Sequence, residues 1–247
     1  MSGAPETGPR SFSDRVLRLL ERVTHRVAKT PDERAAAFRL RFEAYQKIGF
    51  LQRGDGDQLY DPRYDDDANA FLTTTLIDGE LAGTVRVNIG WGDNAVLPGI
   101  QVFADVLAPK LWAGQTIAEF TRLAARLSLP GAYPELAYVT MRPAFMAAEH
   151  FDADWAVGSP RVEHIAFYQR VFGATVWCPP RDYPGLTAKL ACVGADYRTA
   201  RQFIKSRYPF FSSSPAERDA LFGPVTADCR VRGGLCEDSG AELVGPH

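Results

Sequence analysis

The sequence has little net charge and no long apolar run, and these two absences narrow the classes of protein to which it can belong. Its 28 lysines and arginines nearly balance its 30 aspartates and glutamates, so the net charge is −2. Proteins that bind nucleic acid mainly through electrostatic attraction need a large excess of lysine and arginine, so we expect no nucleic-acid partner. No stretch reaches the roughly 18 apolar residues of a membrane-spanning helix, so we expect no integral membrane segment.

Cysteine and histidine are also scarce, which argues against a metal site. The four cysteines, at 178, 192, 229 and 236, form no C-x-x-C pair, and only four histidines are present to complete a ligand set. We therefore expect no metal and no disulfide scaffold. Scattered cysteines suit a reducing compartment, and the polar start MSGAPETGPRSFSD lacks the apolar segment of a signal peptide. The expectation is a cytoplasmic protein.

The first part of the chain predicts two helices followed by an irregular segment. Apolar residues at helical spacing predict a helix from a cap at Ser13 to about Val27. Thr30-Pro31-Asp32-Glu33 is typical of a capping box, and it opens a second helix that runs to about Ile48. Residues 49–67 have no period and are rich in Gly, Asp and Gln, and so long a loop is often functional.

Strands and helices alternate in the rest of the chain. Asp78-Gly79 between two β-rich runs predicts a hairpin, because this dipeptide adopts the positive φ of a tight turn. The alternation predicts a mixed α/β sheet in one domain. Strands are expected at 70–77, 80–89, 114–124, 154–157, 175–177 and 187–193, and helices at 101–107, at 134–150 with a kink or break at Pro143, at 161–172 and after Pro215, before a disordered tail from about 223.

Glu119 and Arg122 lie three apart in the apolar segment Ile117 to Leu123 and are the first candidate site residues. On a regular strand they point to opposite faces, whereas on a helix they share a face and form a simple ion pair. A bulge in the strand is the third possibility, and it can aim both side chains at a cleft.

Two further arginines and an acidic run precede them. Arg41 falls late in the second helix, where it is either functional or a cation that stabilises the helix C-terminus. Arg86 lies in the middle of a strand and is either functional or exposed to solvent. Asp65-Asp66-Asp67 is either part of a functional loop or a solvated charge cluster, and it lacks the alternating ligands and closing Glu of a calcium loop.

His164 and Tyr168 are four residues apart and therefore share one face of a predicted helix. A histidine in this position is either functional or an ordinary surface residue. The tyrosine is either functional or a core residue whose hydroxyl reaches a backbone partner.

Taken in chain order, these motifs form one pattern. It comprises Leu-Arg-Phe-x-x-Tyr (40–45), Tyr-Asp (64–65), Gly-Thr-Val-Arg (83–86), Glu-Phe-Thr-Arg (119–122) and His-x-x-Phe-Tyr-x-x-x-Phe-Gly (164–173). The pattern resembles N-acyl amino acid synthases of the FeeM type and acyl-homoserine-lactone synthases, over about residues 34–195. The resemblance implies a GNAT-like N-acyltransferase fold of the α/β (α+β) class, with a central mixed, mostly antiparallel twisted sheet flanked by helices.

The resemblance also implies a division of the chain and roles for the candidate residues. An N-terminal helical extension (1–30) precedes the catalytic domain (31–211), and a short helix with a disordered tail (212–247) follows it. The implied catalytic residues are Glu119, Tyr168 and His164, with Glu119 accepting the proton of the amine and either of the other two protonating the leaving thiolate. The implied substrate-binding residues are Arg41, Tyr45, Asp65, Arg86 and Arg122, with the arginines either gripping an acceptor carboxylate or ordering the acidic loop through Asp65.

Two departures from the related families bear on the substrates. The tryptophan that homoserine-lactone synthases carry after the first arginine is replaced by Phe50, which weakens an S-adenosylmethionine site. The Arg/Gln-x-x-Gly-x-Gly/Ala loop of CoA-dependent GNAT enzymes is missing from residues 122–131. Because that loop holds the CoA pyrophosphate on backbone N–H groups, its absence favours an acyl carrier protein as donor, with acyl-CoA the less favoured one and no bound cofactor.

The resemblance thus predicts an enzyme that transfers a long-chain acyl group from acyl carrier protein to the amino group of an amino acid. A homoserine-lactone synthase, a CoA-dependent acyltransferase and a non-catalytic acyl-binding module remain as alternatives. The expected liners of an apolar acyl slot are Phe120, Phe145, Phe151 and Trp155, although core packing explains them equally well. A basic patch for the acidic carrier protein, or an ordinary solvated face, is expected from Arg181, Arg198, Arg201, Lys205 and Arg207.

Overall fold

The computed structural model describes residues 11–51, 56–93, 95–129, 131 and 133–224, and it is built around one seven-stranded sheet. The strand order is β1-β2-β3-β4-β5-β7-β6, and every neighbouring pair is antiparallel except β4 and β5, which are parallel. The mixed, mostly antiparallel sheet predicted from the sequence is confirmed. The strands are β1 (Val23–Val27), β2 (Ala70–Ile77), β3 (Glu80–Gly90), β4 (Ile117–Ala125), β5 (Trp155–Gly158), β6 (Thr175–Arg181) and β7 (Leu190–Asp196).

Helices cover both faces of this sheet. The central helix α5 packs on β3 and β4 from one side and continues through Pro143 without a break, while α2 packs on the same two strands from the other side. No helix in the described part of the chain has the length and apolar character needed to cross a bilayer. The helices are α1 (Phe12–Leu20), α2 (Pro31–Lys47), α3 (Pro62–Asp65), α4 (Ile100–Trp112), α5 (Leu136–His150), α6 (Ile165–Phe172), α7 (Tyr197–Arg207) and α8 (Pro215–Phe222).

The first helix is shorter than predicted. Its cap is Ser11, which forms a reciprocal capping box with Asp14, and the predicted cap at Ser13 is wrong. The predicted continuation to Val27 is also wrong, because residues 23–27 form β1 and pair with β2. Residues along β1 alternate between half-buried and exposed, as in a strand. The sequence of this segment fits a helix or a strand, and pairing with β2 selects the strand. The helical character predicted for residues 1–30 therefore holds only up to Leu20 among the residues described.

The other predicted elements are present with shifted ends, residues Val162–His164 form a 3₁₀ turn before α6, and two helices were missed. Thr30 caps α2 through a capping box with Glu33, and the hairpin of β2 and β3 turns at Asp78-Gly79. The irregular segment 49–67 contains the short helix α3, and α7 follows β7 directly, capped by Asp196. The predicted disordered tail lies outside the described residues, apart from Gly223 and Pro224.

Side chains from α5 bind the segment that follows α7. The Arg142 guanidinium is buried, with Nε donating to the Phe210 carbonyl at 2.9 Å and Nη2 donating to the Ser212 carbonyl at 2.7 Å and to Glu217 Oε1 at 2.9 Å. Phe210 and Phe211 are almost fully buried in the core beside Phe145. The residues after α7 are therefore part of the core around α5.

The two faces of the central strands differ in character. Alternate residues of β3 and β4, including Val87 and Phe120, pack into the apolar core with α5. The intervening residues of these strands point to the opposite face, which α2 covers, and they include Arg86, Asn88 and Glu119, all of which are buried. The polar residues of the sheet are thus enclosed between the sheet and α2.

Candidate active site

Arg41, Asp65 and Arg86 form a buried ionic network between α2, α3 and the sheet. Arg41 Nη1 donates to Asp65 Oδ1 at 2.8 Å, and Arg86 Nη1 lies 3.1 Å from Asp65 Oδ2. All three side chains are at most 2% exposed. Arg41 is therefore not a cation at an exposed helix end, Arg86 does not face solvent, and Asp65 is not part of a solvated cluster.

The network holds Asp65 ionised. Burial opposes ionisation, but the guanidiniums of Arg41 and Arg86 outweigh it and hold the pKa of Asp65 below its usual value. Asp65 Oδ2 also accepts from the Asp61 N–H at 2.9 Å, which fixes the start of α3. Of the two predicted roles for Arg41 and Arg86, the geometry favours ordering of the acidic loop, since both guanidiniums are already bound to Asp65.

Glu119 lies on the same polar face and is fully buried. Its Oε2 accepts from the Gly99 N–H at 3.0 Å, whereas its Oε1 has no hydrogen-bond partner. Burial raises the pKa of Glu119 to about 7, against the opposing effects of the Gly99 N–H and the Arg86 charge. A carboxyl group with this pKa exchanges its proton close to neutral pH, as a general base requires.

A bulge in β4 separates Arg122 from Glu119. Arg86 pairs with Thr121 and Thr84 with Ala124, so Arg122 and Leu123 together lie opposite the single residue Val85. Arg122 has a φ of +56°, which is unusual for a residue with a side chain and is often found at functional sites. Of the three possibilities that the spacing leaves open, the structure shows the bulged strand.

The bulge directs Arg122, but not Glu119, to a cleft of about 150 Å³. The cleft opens where the parallel strands β4 and β5 diverge, just beyond the paired residues Phe120 and Gly158. Of the predicted site residues, the cleft brings together Tyr45, Arg122, His164 and Tyr168, and it does not include Arg41, Asp65, Arg86 or Glu119. Its walls are Tyr45, Ile48, Phe50, Val85, Phe120, Thr121, Arg122, Leu123, Met141, Ser159, Pro160, Arg161, His164 and Tyr168.

Tyr168 lies at the inner end of this cleft and His164 at its exposed mouth. The Tyr168 ring packs against the end of β5, where a Cβ on Gly158 would approach its Cε1 to 3.0 Å. Burial raises the pKa of the Tyr168 hydroxyl, so the group keeps its proton at neutral pH. A protonated hydroxyl in this position has the form that an acid for a leaving thiolate needs.

An apolar space of about 10 Å³, here called the apolar slot, continues from the cleft between the sheet and the helices α5 and α6. Phe120 and Tyr168 line both spaces, and Phe145 and Phe172 line the slot. The predicted liners Phe120 and Phe145 are therefore correctly placed. Phe151 and Trp155 are not, because Phe151 packs on Phe71 and Phe222, and Trp155 packs on Trp177 and Lys110.

Sequence reasoning missed three residues of this region: Gly99, Ser159 and Arg161. Gly99 stands alone before α4 and its contact with Glu119 depends on tertiary packing. Ser159 and Arg161 follow the end of β5, and both have a buried polar atom without a hydrogen-bond partner. Their position directly after a strand that runs parallel to β4 is a signal that could have pointed to them, since ligands often bind where parallel strands end.

The predicted basic patch is largely neutralised by ion pairs. Arg181 binds Asp105 on α4 through two hydrogen bonds of 2.7 Å, away from the arginines of α7. Arg198 pairs with Asp152 and Asp154, Arg201 approaches Asp152, and Lys205 pairs with Glu149. Arg207 lies over the rings of Phe203 and Tyr208. The alternative, an ordinary solvated face, describes these side chains better.

The carboxylate of Glu119 leaves no room for a side chain at residue 99. A Cβ on Gly99 would lie 2.7 Å from Glu119 Oε1, so Gly99→Ala is expected to displace the carboxylate and to lower kcat/KM about 10- to 100-fold. Steady-state kinetics on the folded variant measures this effect. Gly131→Ala is the matched control, since no atom lies within 4 Å of a Cβ there. Equal losses in both variants would contradict the idea that activity depends on the position of the Glu119 carboxylate.

The mixed sheet that opens between β4 and β5 and carries the bulge at Arg122 has the architecture of the GNAT acyltransferase fold. The family profile described as N-acyl amino acid synthase FeeM matches residues 36–196. The chain belongs to this family and is an N-acyltransferase of the type shared by FeeM and the acyl-homoserine-lactone synthases. In the described residues, no group of three or more His, Cys, Asp or Glu side chains is arranged to hold a metal ion.

Comparison with solved structures supports the fold. The structure of FeeM, an N-acyl amino acid synthase from uncultured soil microbes, is similar with a TM-score of 0.60 at 20% identity, over 75% of this chain and 98% of FeeM. BjaI, a CoA-dependent acyl-homoserine lactone synthase solved with MTA, gives a TM-score of 0.55 at 17% identity, over 87% of this chain and 99% of BjaI. TofI, solved with an inhibitor and MTA, gives 0.54 at 16% identity, over 79% and 99%. A search of curated protein sequences gives no match.

Proposed function

We propose that this protein transfers a long-chain fatty acyl group from acyl carrier protein to the amino group of an amino acid, and that it does so in the cytoplasm. One observation carries the proposal: the cleft that Arg122 lines adjoins an apolar slot, and Phe120 and Tyr168 line both spaces. Arginine at one end suits a carboxylate, and the apolar side chains of the slot suit an alkyl chain. These side chains must move apart to admit the chain, because the space between them is about 10 Å³. The thioester lies between the arginine and the slot in this arrangement.

The chemistry uses groups on both sides of β4. The neutral amine attacks the thioester carbonyl, and backbone N–H groups at the divergent strands stabilise the oxyanion. As the C–S bond breaks, Tyr168 gives its proton to the departing thiolate, and the second proton that the attacking nitrogen loses returns to the Tyr168 oxygen through solvent. Glu119 takes the proton of the acceptor ammonium by way of water, since Thr121 follows it on the same strand face and lines the cleft.

Two thioesters, of acyl carrier protein and of CoA, are possible acyl donors. The missing glycine-rich loop after Arg122 favours a carrier-protein thioester, whose phosphopantetheine lacks the CoA pyrophosphate. BjaI is a CoA-dependent enzyme with a similar fold, so acyl-CoA is the donor that the experiment must compare.

The test offers the purified protein each donor in turn. Octanoyl to hexadecanoyl thioesters of acyl carrier protein or of CoA are incubated with a mixture of free amino acids, and products are identified by mass spectrometry. We expect N-acyl amino acids, with kcat/KM for the carrier-protein donor at least about tenfold above that for CoA. A preference for CoA would overturn the donor assignment. An acyl-homoserine lactone formed only with S-adenosylmethionine would overturn the acceptor, and a folded protein without any acyl product would favour the acyl-binding module.

A further inference from the structure

The cleft beyond β4 and β5 has cationic walls and no acidic ones. Its lining residues include the guanidiniums of Arg122 and Arg161, but no Asp or Glu. In the described part of the chain, Arg122 has no carboxylate within ion-pair distance, and Arg161 has only Glu163, which is about half exposed. Because the charge of Arg122 is unopposed and that of Arg161 is opposed only by the half-exposed Glu163, this cleft is suited to an anionic group of the substrate.

Three buried polar atoms around the cleft lack hydrogen-bond partners. They are Arg122 Nη1 on the β4 side, and Ser159 Oγ and Arg161 Nε on the β5 side. Buried donors are normally satisfied, and each one left unpaired costs stability. Residues that line the cleft on both sides therefore carry unused donors, which a ligand with several acceptor atoms can satisfy.

Aromatic rings hold the two guanidiniums in place. Arg122 lies over the Tyr45 ring with its Cζ 5.8 Å from the centroid, and Arg161 lies over the Phe50 ring at 5.2 Å. The two rings pack on each other at 5.1 Å. Rings that fix a guanidinium reduce the side-chain freedom lost on binding, so both arginines are pre-organised.

We infer that Arg161, assisted by the Ser159 hydroxyl, is a second anchor for the carboxylate of the acceptor, acting opposite Arg122. The inference rests on the proposed function and deepens it, since it makes a free carboxylate a requirement of the acceptor. Amino acid amides, amino acid esters and simple amines are then poor substrates. Arg161 lies outside the Glu-x-x-Arg motif of β4, so that motif does not identify it as a residue that binds the carboxylate.

The experiment measures equilibrium binding, so that it does not depend on turnover. Calorimetric titration compares N-dodecanoyl-alanine with N-dodecanoyl-alaninamide, which differ only in the carboxylate. The wild-type protein is expected to bind the acid at least about 30-fold more tightly, and Arg161→Met is expected to reduce this preference to less than about fivefold. Arg161→Lys is expected to restore part of the preference, because it restores the charge without the planar fork.

Two further variants separate this role from a general charge effect. Arg170→Met removes a charge from an exposed position on α6 outside the cleft and is expected to leave the preference unchanged. Glu163→Gln frees Arg161 from its neighbour and is expected to keep or increase the preference. Equal binding of acid and amide by the wild type, weak binding of both included, overturns the inference, as does a preference that survives in Arg161→Met. Failure to detect any N-acyl amino acid in the turnover assay overturns the proposed function instead.

Discussion

Replacing Glu119 by glutamine is expected to lower kcat/KM about 100- to 10,000-fold, the range associated with loss of a general base. Glutamine preserves the shape of the side chain and an oxygen that accepts from the Gly99 N–H, but it cannot take a proton. Steady-state assays of acyl transfer to the amino acid acceptor measure the loss.

The pH dependence distinguishes a base from a structural residue. Because burial raises the pKa of Glu119 to about 7, the wild-type rate is expected to rise with pH through this value as the carboxylate forms. The low residual rate of Glu119→Gln is expected to show no such rise with pH around 7. A variant that keeps the wild-type pH profile, or most of the wild-type rate, would contradict the assignment.

The same substitution is expected to stabilise the fold at alkaline pH. The carboxyl has a pKa of 4.5 when unfolded and about 7 when folded, so the folded state binds the proton more tightly and stability falls as pH rises from 4.5 through 7. Full ionisation then costs roughly 3 kcal/mol. Chemical unfolding should find Glu119→Gln more stable than wild type above pH 7, by an amount that shrinks toward pH 4.5.

Replacing Asp65 by asparagine is expected to destabilise the fold by about 3–5 kcal/mol, the usual effect of removing one partner from a buried ion pair. Arg41 and Arg86 both depend on this carboxylate, and without it two guanidiniums remain buried and unpaired. Urea unfolding at neutral pH measures the change in free energy.

Asp66→Asn is the matched control, because Asp66 is half exposed and pairs with Arg34 at the surface. Its effect is expected to stay within about 1 kcal/mol. The pKa of Asp65 is held below its usual value, so its contribution is present above the usual pKa of an aspartate and is lost as pH falls through the lower folded value. Similar losses in the two variants would show that the buried network contributes little.

The sequence predicts the architecture well where local signals agree with the tertiary structure. The capping box at Thr30 and the Asp78-Gly79 turn carry their own geometry, so α2 and the β2–β3 hairpin follow directly. Residues 23–27 carry no such turn or cap, and they pair with the open edge of β2. Val23, Thr24 and Val27 are β-branched and favour a strand, so the prediction failed because it followed the helical spacing of the apolar residues instead.

In the candidate site, too, local motifs could be predicted from the sequence and long-range contacts could not. The motif order identifies Glu119 and Arg122, and the bulge that separates them is among the alternatives that spacing allows. The sequence does not show that Glu119 faces Gly99, or that Asp65 occupies both Arg41 and Arg86, because these contacts join segments 20 or more residues apart. Long-range contacts of this kind depend on the packing of whole elements.

The Arg142 contacts with the segment after α7 bear on where this enzyme can be cut. The region shared with the family ends at residue 196, yet Arg142 donates to carbonyls at residues 210 and 212, and Phe210 and Phe211 fill the core beside α5. A fragment trimmed to the shared region would keep a buried guanidinium without its acceptors and an open hole beside Phe145. We therefore expect the smallest autonomous folding unit to be larger than the region shared with the family and to extend through α8, whose Glu217 completes the same set of contacts.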